Sequence, residues 1–256
     1  MPALRRKISS MNIFLAGSES IKGYISDNCK SQLFKDCNIL QSFYYIKEPP
    51  PSNCKRFMLD SGAFTMQRNI KSANDIERYT DRYIEFINAY DIDLFFEMDI
   101  DDIIGLDNVE RLRRRIESKT GKQPIPVFHK SRGKEYFINM CKDYPYIAIG
   151  GITDANEAKK WIPYMPWFIN TAHKYKKKIH GLGFTQLSVL PHIHFDSVDS
   201  TSWLYGNKYG RIYLFDKGKI RQFDHKNNTR ITDPKRLLIH NFTEWKKLSQ
   251  YAETHF

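Results

Sequence analysis

The sequence predicts an α/β protein, a TIM-like (β/α)8 barrel carrying a short C-terminal hairpin and helix. Short β-rich runs alternate with helical patterns at fairly even intervals, as successive βα units around a parallel sheet do. Several runs are apolar on both faces, which suits strands covered from both sides. The length, 256 residues, fits one large domain, because single barrels and α/β folds commonly reach this size. One domain over 1–256 is expected, with a barrel core at about 11–205 and the hairpin and helix at about 206–256.

The strand-like runs fall at 12–16, 57–59, 94–98, 125–128, 146–149, 179–182 and 194–198. Between them, 72–90 sets Ile76, Tyr79, Tyr83, Ile87 and Tyr90 at three- and four-residue steps, with Ser72 and Asp75 as a capping pair. Asp107 and Glu110 are expected to cap the next helix, whose apolar side is Val109, Leu112 and Ile116. Two more helices are expected at 133–142 and 154–161, and the Pro49, Pro50, Pro51 knot suits a loop. In the tail, 211–223 alternates apolar and polar residues around Asp216, Lys217 and Gly218, a hairpin pattern. Asp233 and Pro234 then open a helix to about Ala252; this tail is too short to bury a core of its own.

Composition narrows the function. With 17 Phe, 15 Tyr and 4 Trp the chain is not a disordered or low-complexity scaffold. Forty Lys plus Arg against 29 Asp plus Glu leave a net charge of +11, so an anionic partner, nucleic acid or an acidic membrane surface, comes first. No window approaches the roughly 18 apolar residues of a membrane span, and neither a span nor a signal peptide is expected. Cys29, Cys37, Cys54 and Cys141 form no CxxC pair, which reads as reduced thiols in a cytoplasmic protein without a local zinc site.

In a parallel barrel the loops after the strands build the active face. The residues there are Asp60, Ser61, Gly62, Ala63 and Phe64, then Glu97, Asp99, Asp101 and Asp102, then His129, Gly150, Gly151, Gly183, Asp196 and Asp199. Each has a plainer reading. Asp60 can close a turn, Asp101 and Asp102 can cap a helix, Gly150 and Gly151 can be turn glycines, and His129 and Phe64 can belong to the core. Asp99, Asp101 and Asp102 together also suit a divalent ion, although no metal and no cofactor is expected.

The segment Leu59-Asp-Ser-Gly-Ala-Phe64 resembles the Asp-Ser-Gly-Gly-aromatic motif of the tRNA-guanine transglycosylases. Ile149-Gly-Gly-Ile152 resembles their base-binding glycine loop, His180-Gly-Leu-Gly183 the glycine-bearing strand that follows, and Phe195-Asp-Ser-Val198 the segment with their nucleophile. These matches keep their order over about 57–203. The string Asp196 to Trp203 is most similar to the shorter DNA-guanine transglycosylases of phage and bacterial DNA-modification systems, the DpdA group. Two departures count against tRNA: no Cys follows position 141 to build the zinc subdomain of the tRNA enzymes, and His129 stands where they carry a base-reading Gln.

The resemblance implies exchange of a guanine in DNA for a 7-deazaguanine such as preQ0, with tRNA as the alternative substrate and a non-catalytic nucleic-acid-binding homologue as another outcome. It implies Asp196 as the nucleophile, with Asp199 as its rival, and Asp60 as the proton donor and acceptor. Asp99, His129, Gly150, Gly151 and Gly183 would bind the base, and Phe64 would stack on it. Phosphate contacts are expected from Arg111, Arg113, Arg114 and Arg115, from Lys174, Lys176, Lys177 and Lys178, and from 217–221. A homodimer or accessory modification proteins stay open as partners; a membrane is not expected. The location is the cytoplasm, the host's if the chain is phage-encoded.

Overall fold

The computed structural model describes residues 10–21, 25–46, 50–67, 72–151, 155–184, 186–224 and 233–256. In chain order they form β1 (Asn12–Ala16), α1 (Asp27–Phe34), β2 (Asn38–Ser42), β3 (Arg56–Asp60), the one-turn α2 (Ala63–Met66), α3 (Ala73–Ala89), the one-turn α4 (Asp101–Ile104), α5 (Leu106–Thr120), β4 (Val127–Phe128) and α6 (Gly133–Asp143). There follow β5 (Tyr146–Ile149), α7 (Ala155–Trp161), α8 (Met165–Lys174), β6 (Lys178–Gly181), β7 (Ser197–Ser200), α9 (Tyr205–Tyr209), β8 (Arg211–Asp216), β9 (Lys219–Asp224) and α10 (Pro234–His255).

Seven strands make one parallel sheet in the order β3-β2-β1-β7-β6-β5-β4. The sheet curls. Its two edge strands are linked through 94–97: the Phe96 amide donates to the Leu59 carbonyl at 3.0 Å, and the Ile125 amide to the Phe95 carbonyl at 2.7 Å. Alternate residues along each strand face opposite ways. Phe14, Leu40, Met58, Phe96, Val127 and Ala148 pack inside the curl, while Ile13, Leu15, Ile39, Ile147 and Ile179 face the helices. This double burial is why the runs are apolar throughout.

The long helices follow their apolar stripes. Ile76, Tyr79, Tyr83 and Ile87 of α3 are buried with Val109, Leu112 and Ile116 of α5 in one cluster. The Ser72 amide donates to the Asp75 carboxylate at 2.9 Å, the expected capping pair. At α5 the expectation fails: Gly105 caps the helix, Asp107 sits in its first turn, and Glu110 turns to Tyr136, which donates to it at 2.8 Å. Asp154 lies outside the described residues.

Three differences have clear causes. β2 goes unread in the sequence because Asn38 and Gln41, both buried, interrupt the apolar run and find side-chain partners instead. The 94–98 run makes only isolated bridges at Phe95 and Phe96, so it is a link and not a laddered strand. The last sheet strand begins at Ser197, three residues after the expected 194.

The hairpin turns on Lys217 and Gly218, both at positive φ (46° and 84°), the twist that two-residue hairpin loops favour. The following helix is no appendage. Phe242, Trp245 and Leu248 of α10 are buried in the main core with Ile13 and Leu15, and Ser249 donates to the Ile13 carbonyl at 2.7 Å. Among the described residues no helix is long and apolar enough to cross a membrane.

Candidate active site

The carboxyl ends of the strands open into a cavity of about 980 Å³, within the usual range for small-molecule sites. Asp60, Phe64, Asp99, His129, Gly151, Gly183 and Asp199 line it.

Asp60 ends β3, paired in register with Ser42 of β2. The chain then turns sharply at Gly62 (φ 68°), where a Cβ would lie 2.6 Å from the Tyr44 Cβ and 2.7 Å from the Tyr44 amide nitrogen, so no side chain fits. Tyr79 and Tyr83 of α3 fix this corner from behind by donating to the Ser61 carbonyl at 2.6 Å and the Phe96 carbonyl at 2.9 Å. Burial lifts the Asp60 pKa to about 7; the Gly62 amide opposes the rise, and the charges of Asp199 and Asp99 add to it. A carboxyl poised there can both give and take a proton near neutral pH.

Asp199 enters from β7, inside the curl and almost fully buried. Its Oδ1 accepts from the Gly183 amide at 2.6 Å and meets His180 Nε2 at 3.2 Å. The His180 ring lies fully buried between Phe14 and Phe96, and its Nδ1 is hydrogen-bonded to the Ser197 hydroxyl, which also bonds the Tyr146 hydroxyl. With Nε2 donating to Asp199, one consistent direction of donation runs from Tyr146 through Ser197 and His180 to the carboxylate. This chain aims the Asp199 side chain into the cavity.

Opposite them, His129 follows β4 with Nε2 2.6 Å from Asp99 Oδ1. Burial opposes a charge on this ring, but the Asp99 hydrogen bond and the charges of Asp99 and Asp101 outweigh it and hold the imidazole pKa above its ordinary value. Beneath lies Arg132, almost fully buried, 3.1 Å from Glu97 Oε1, 3.0 Å from Asp101 Oδ2 and 3.8 Å from Asp99 Oδ1. Arg113 meets the other Glu97 oxygen at 3.1 Å, and the Val127 amide donates to Glu97 at 2.8 Å. Among the described residues, Asp99, Asp101 and His129 place ligand atoms within 4.8 Å of one another and could hold a metal, but Arg132 already supplies both acids with positive charge.

Glu97 is wholly buried, so truncating it takes the innermost anion from two buried arginines. Glu97→Ala is expected to cost about 3–5 kcal/mol of stability in urea denaturation, the usual consequence of breaking a buried pair from one side. A loss under about 1 kcal/mol would mean that water reaches this network.

Several expected site residues lie elsewhere. Asp196 precedes β7, about 10 Å below Asp199 at the usual rise per residue, and so sits at the opposite end of the sheet. There its Oδ2 accepts from the Ile179 amide at 2.8 Å and pairs with His173 Nε2 at 3.0 Å, a structural clasp between β6, β7 and α8. The Gly150 amide is spent on the Phe128 carbonyl at 3.0 Å, and a Cβ there would meet Val127 at 2.5 Å; its role is packing, while Gly151 reaches the cavity.

The basic clusters also lie away from the cavity. Arg113 is buried on Glu97, Arg115 pairs with Glu77 and Asp81, and Arg114 stands 3.6 Å from Glu110. Lys174, Lys176, Lys177 and Lys178 lie at the end of α8 and the start of β6, the end of the sheet that Asp196 occupies. None of these seven lines the cavity; Lys130 does.

His180, Ser197 and Arg132 brace the side chains of the candidate site, and sequence reasoning gave none of them a role. The trace of the first two is register: Ser197 and Asp199 alternate on one side of β7, and His180 interrupts the apolar run of β6 on the same side.

No family model and no curated protein matches the chain. Among solved structures it is similar to QR15, an aldolase, at 11% identity and a TM-score of 0.43, covering 78% of this chain and 92% of that one.

Proposed function

We propose that the chain exchanges a guanine in DNA for a 7-deazaguanine base through a covalent glycosyl-enzyme on Asp199. In this reading the curled sheet, with 94–97 as its eighth strand, is a (β/α)8 barrel. One observation carries the proposal: two carboxyl groups from distant points of the chain, Asp60 and Asp199, open into one cavity, and burial keeps the first protonatable near pH 7. Base exchange on one face of a sugar requires such a pair, as retaining glycosidases do.

Asp199 attacks C1′ while the C1′–N9 bond breaks, and Asp60 protonates the departing guanine. The incoming base loses its proton to Asp60 and attacks C1′, releasing Asp199 and restoring the first configuration. Phe64, more than half exposed on the cavity wall, offers a stacking face, and Asp99 with His129 faces the polar edge of the purine. Extruding the base from a duplex costs a few kcal/mol, which contacts to the backbone phosphates offset.

Labelled preQ0 incubated with the protein and with either DNA or tRNA tests the proposal. Label is expected in DNA. Incorporation into tRNA alone, or into neither, would overturn it.

A further inference from the structure

Beside the main cavity lies a second pocket of about 370 Å³, between the start of α6 and the α7–α8 segment. Lys130 and Trp161 line both, so the two lie side by side. Their chemistry differs sharply. The main cavity is walled by acids, whereas the side pocket combines Lys130, Lys134 and Lys160 with Trp161, Tyr164 and Trp167 and has no acidic residue among its described lining. Tyr164 is 58% exposed and Trp167 36%, so both rings present surface to solvent at the pocket mouth.

The Trp167 ring is held from behind by Phe137 and Phe168, at 5.9 and 4.9 Å between centroids. The Lys134 ammonium rests 5.2 Å from its centre. An exposed cation–π contact of this kind is weak, so the lysine is free to swing toward a stronger anion while the ring takes a flat partner. An acidic cavity cannot seat phosphates, so a strand delivering a base into it needs its positive charge and stacking surface just outside.

We infer that this pocket holds the nucleotide next to the extruded base in single-stranded DNA, its base on Trp167 and Tyr164 and its phosphate among the three lysines. The inference rests on the base-exchange reading for the identity of the strand, but its test does not require exchange. Stacking of a base on an aromatic side chain is sequence-tolerant and is lost on truncating the ring.

A short oligothymidylate contains no guanine and therefore probes the pocket without engaging the exchange chemistry. Titrated into the full chain, it is expected to quench tryptophan fluorescence. Trp167→Leu and, independently, Tyr164→Leu are expected to weaken its binding about ten-fold, and Lys134→Glu at least as much, with unchanged circular dichroism. In exchange assays the same variants should raise KM for DNA and leave kcat unaltered. Wild-type affinity in the folded variants, or displacement of the oligonucleotide by an equal concentration of inorganic phosphate, would overturn the inference. Should the oligonucleotide bind as described while no 7-deazaguanine enters DNA, the pocket assignment stands and the exchange reading falls.

Discussion

Asp199→Asn is expected to lower the rate of base exchange by at least about 10³-fold, the scale on which removing a nucleophile is felt, while Asp196→Asn leaves it within about threefold. The amide at 199 keeps the shape of the carboxylate and still accepts from the Gly183 amide and His180 Nε2, so the loss is chemical and not a collapse of the site. At 196 the substitution removes a charge that serves the Ile179 amide and His173, and its effect falls on stability, about 1–2 kcal/mol. Initial rates with labelled base, together with a denaturing gel for the protein–DNA adduct, read both effects. An adduct that persists in Asp199→Asn and vanishes in Asp196→Asn would reverse the assignment and require β7 to sit in another register.

That pair also shows where reading a sequence stops. Asp196 falls inside the run that the pattern places at 194–198 and Asp199 just past its end, and a strand that starts at Ser197 instead sends the two to opposite ends. Local pattern fixes the existence of a strand far better than its first residue. The acids at 60 and 99 are legible because each follows an apolar run directly, and the turn at Gly62 and the glycine at 151 because they stand within three residues of such a run's end. The arginines are not. A helix carrying Arg113, Arg114 and Arg115 looks like a phosphate-binding face until partners on α3 and the 94–97 link appear, and those partners, Glu97, Glu77 and Asp81, are 16 to 38 residues away. Net charge raises the expectation of an anionic partner but says nothing of where one would bind.

Asp60 makes a prediction in which sign and window follow from a single cause. Burial raises its pKa in the folded chain from the ordinary carboxylate range to about 7, so between about pH 4 and pH 7 the folded state holds a proton that the unfolded state has lost. Stability therefore declines as pH rises through that window and levels off above it, by at most about 4 kcal/mol if the full shift is expressed. Asp60→Asn has no charge to bury, and urea denaturation at pH 5 and pH 8 should show the variant gaining on the wild type between the two. The same proton governs catalysis: guanine leaves only if Asp60 can protonate it, so wild-type kcat/KM is expected to fall above about pH 7, whereas Asp60→Asn should be slower by about 10²- to 10⁴-fold and lack that limb. The apparent value belongs jointly to Asp60 and the neighbouring Asp199 and Asp99, so Asp99→Asn should move the limb to lower pH. A wild type whose rate limb and stability difference both persist unchanged after Asp60→Asn would place the working proton on another group, with His129 next to be examined.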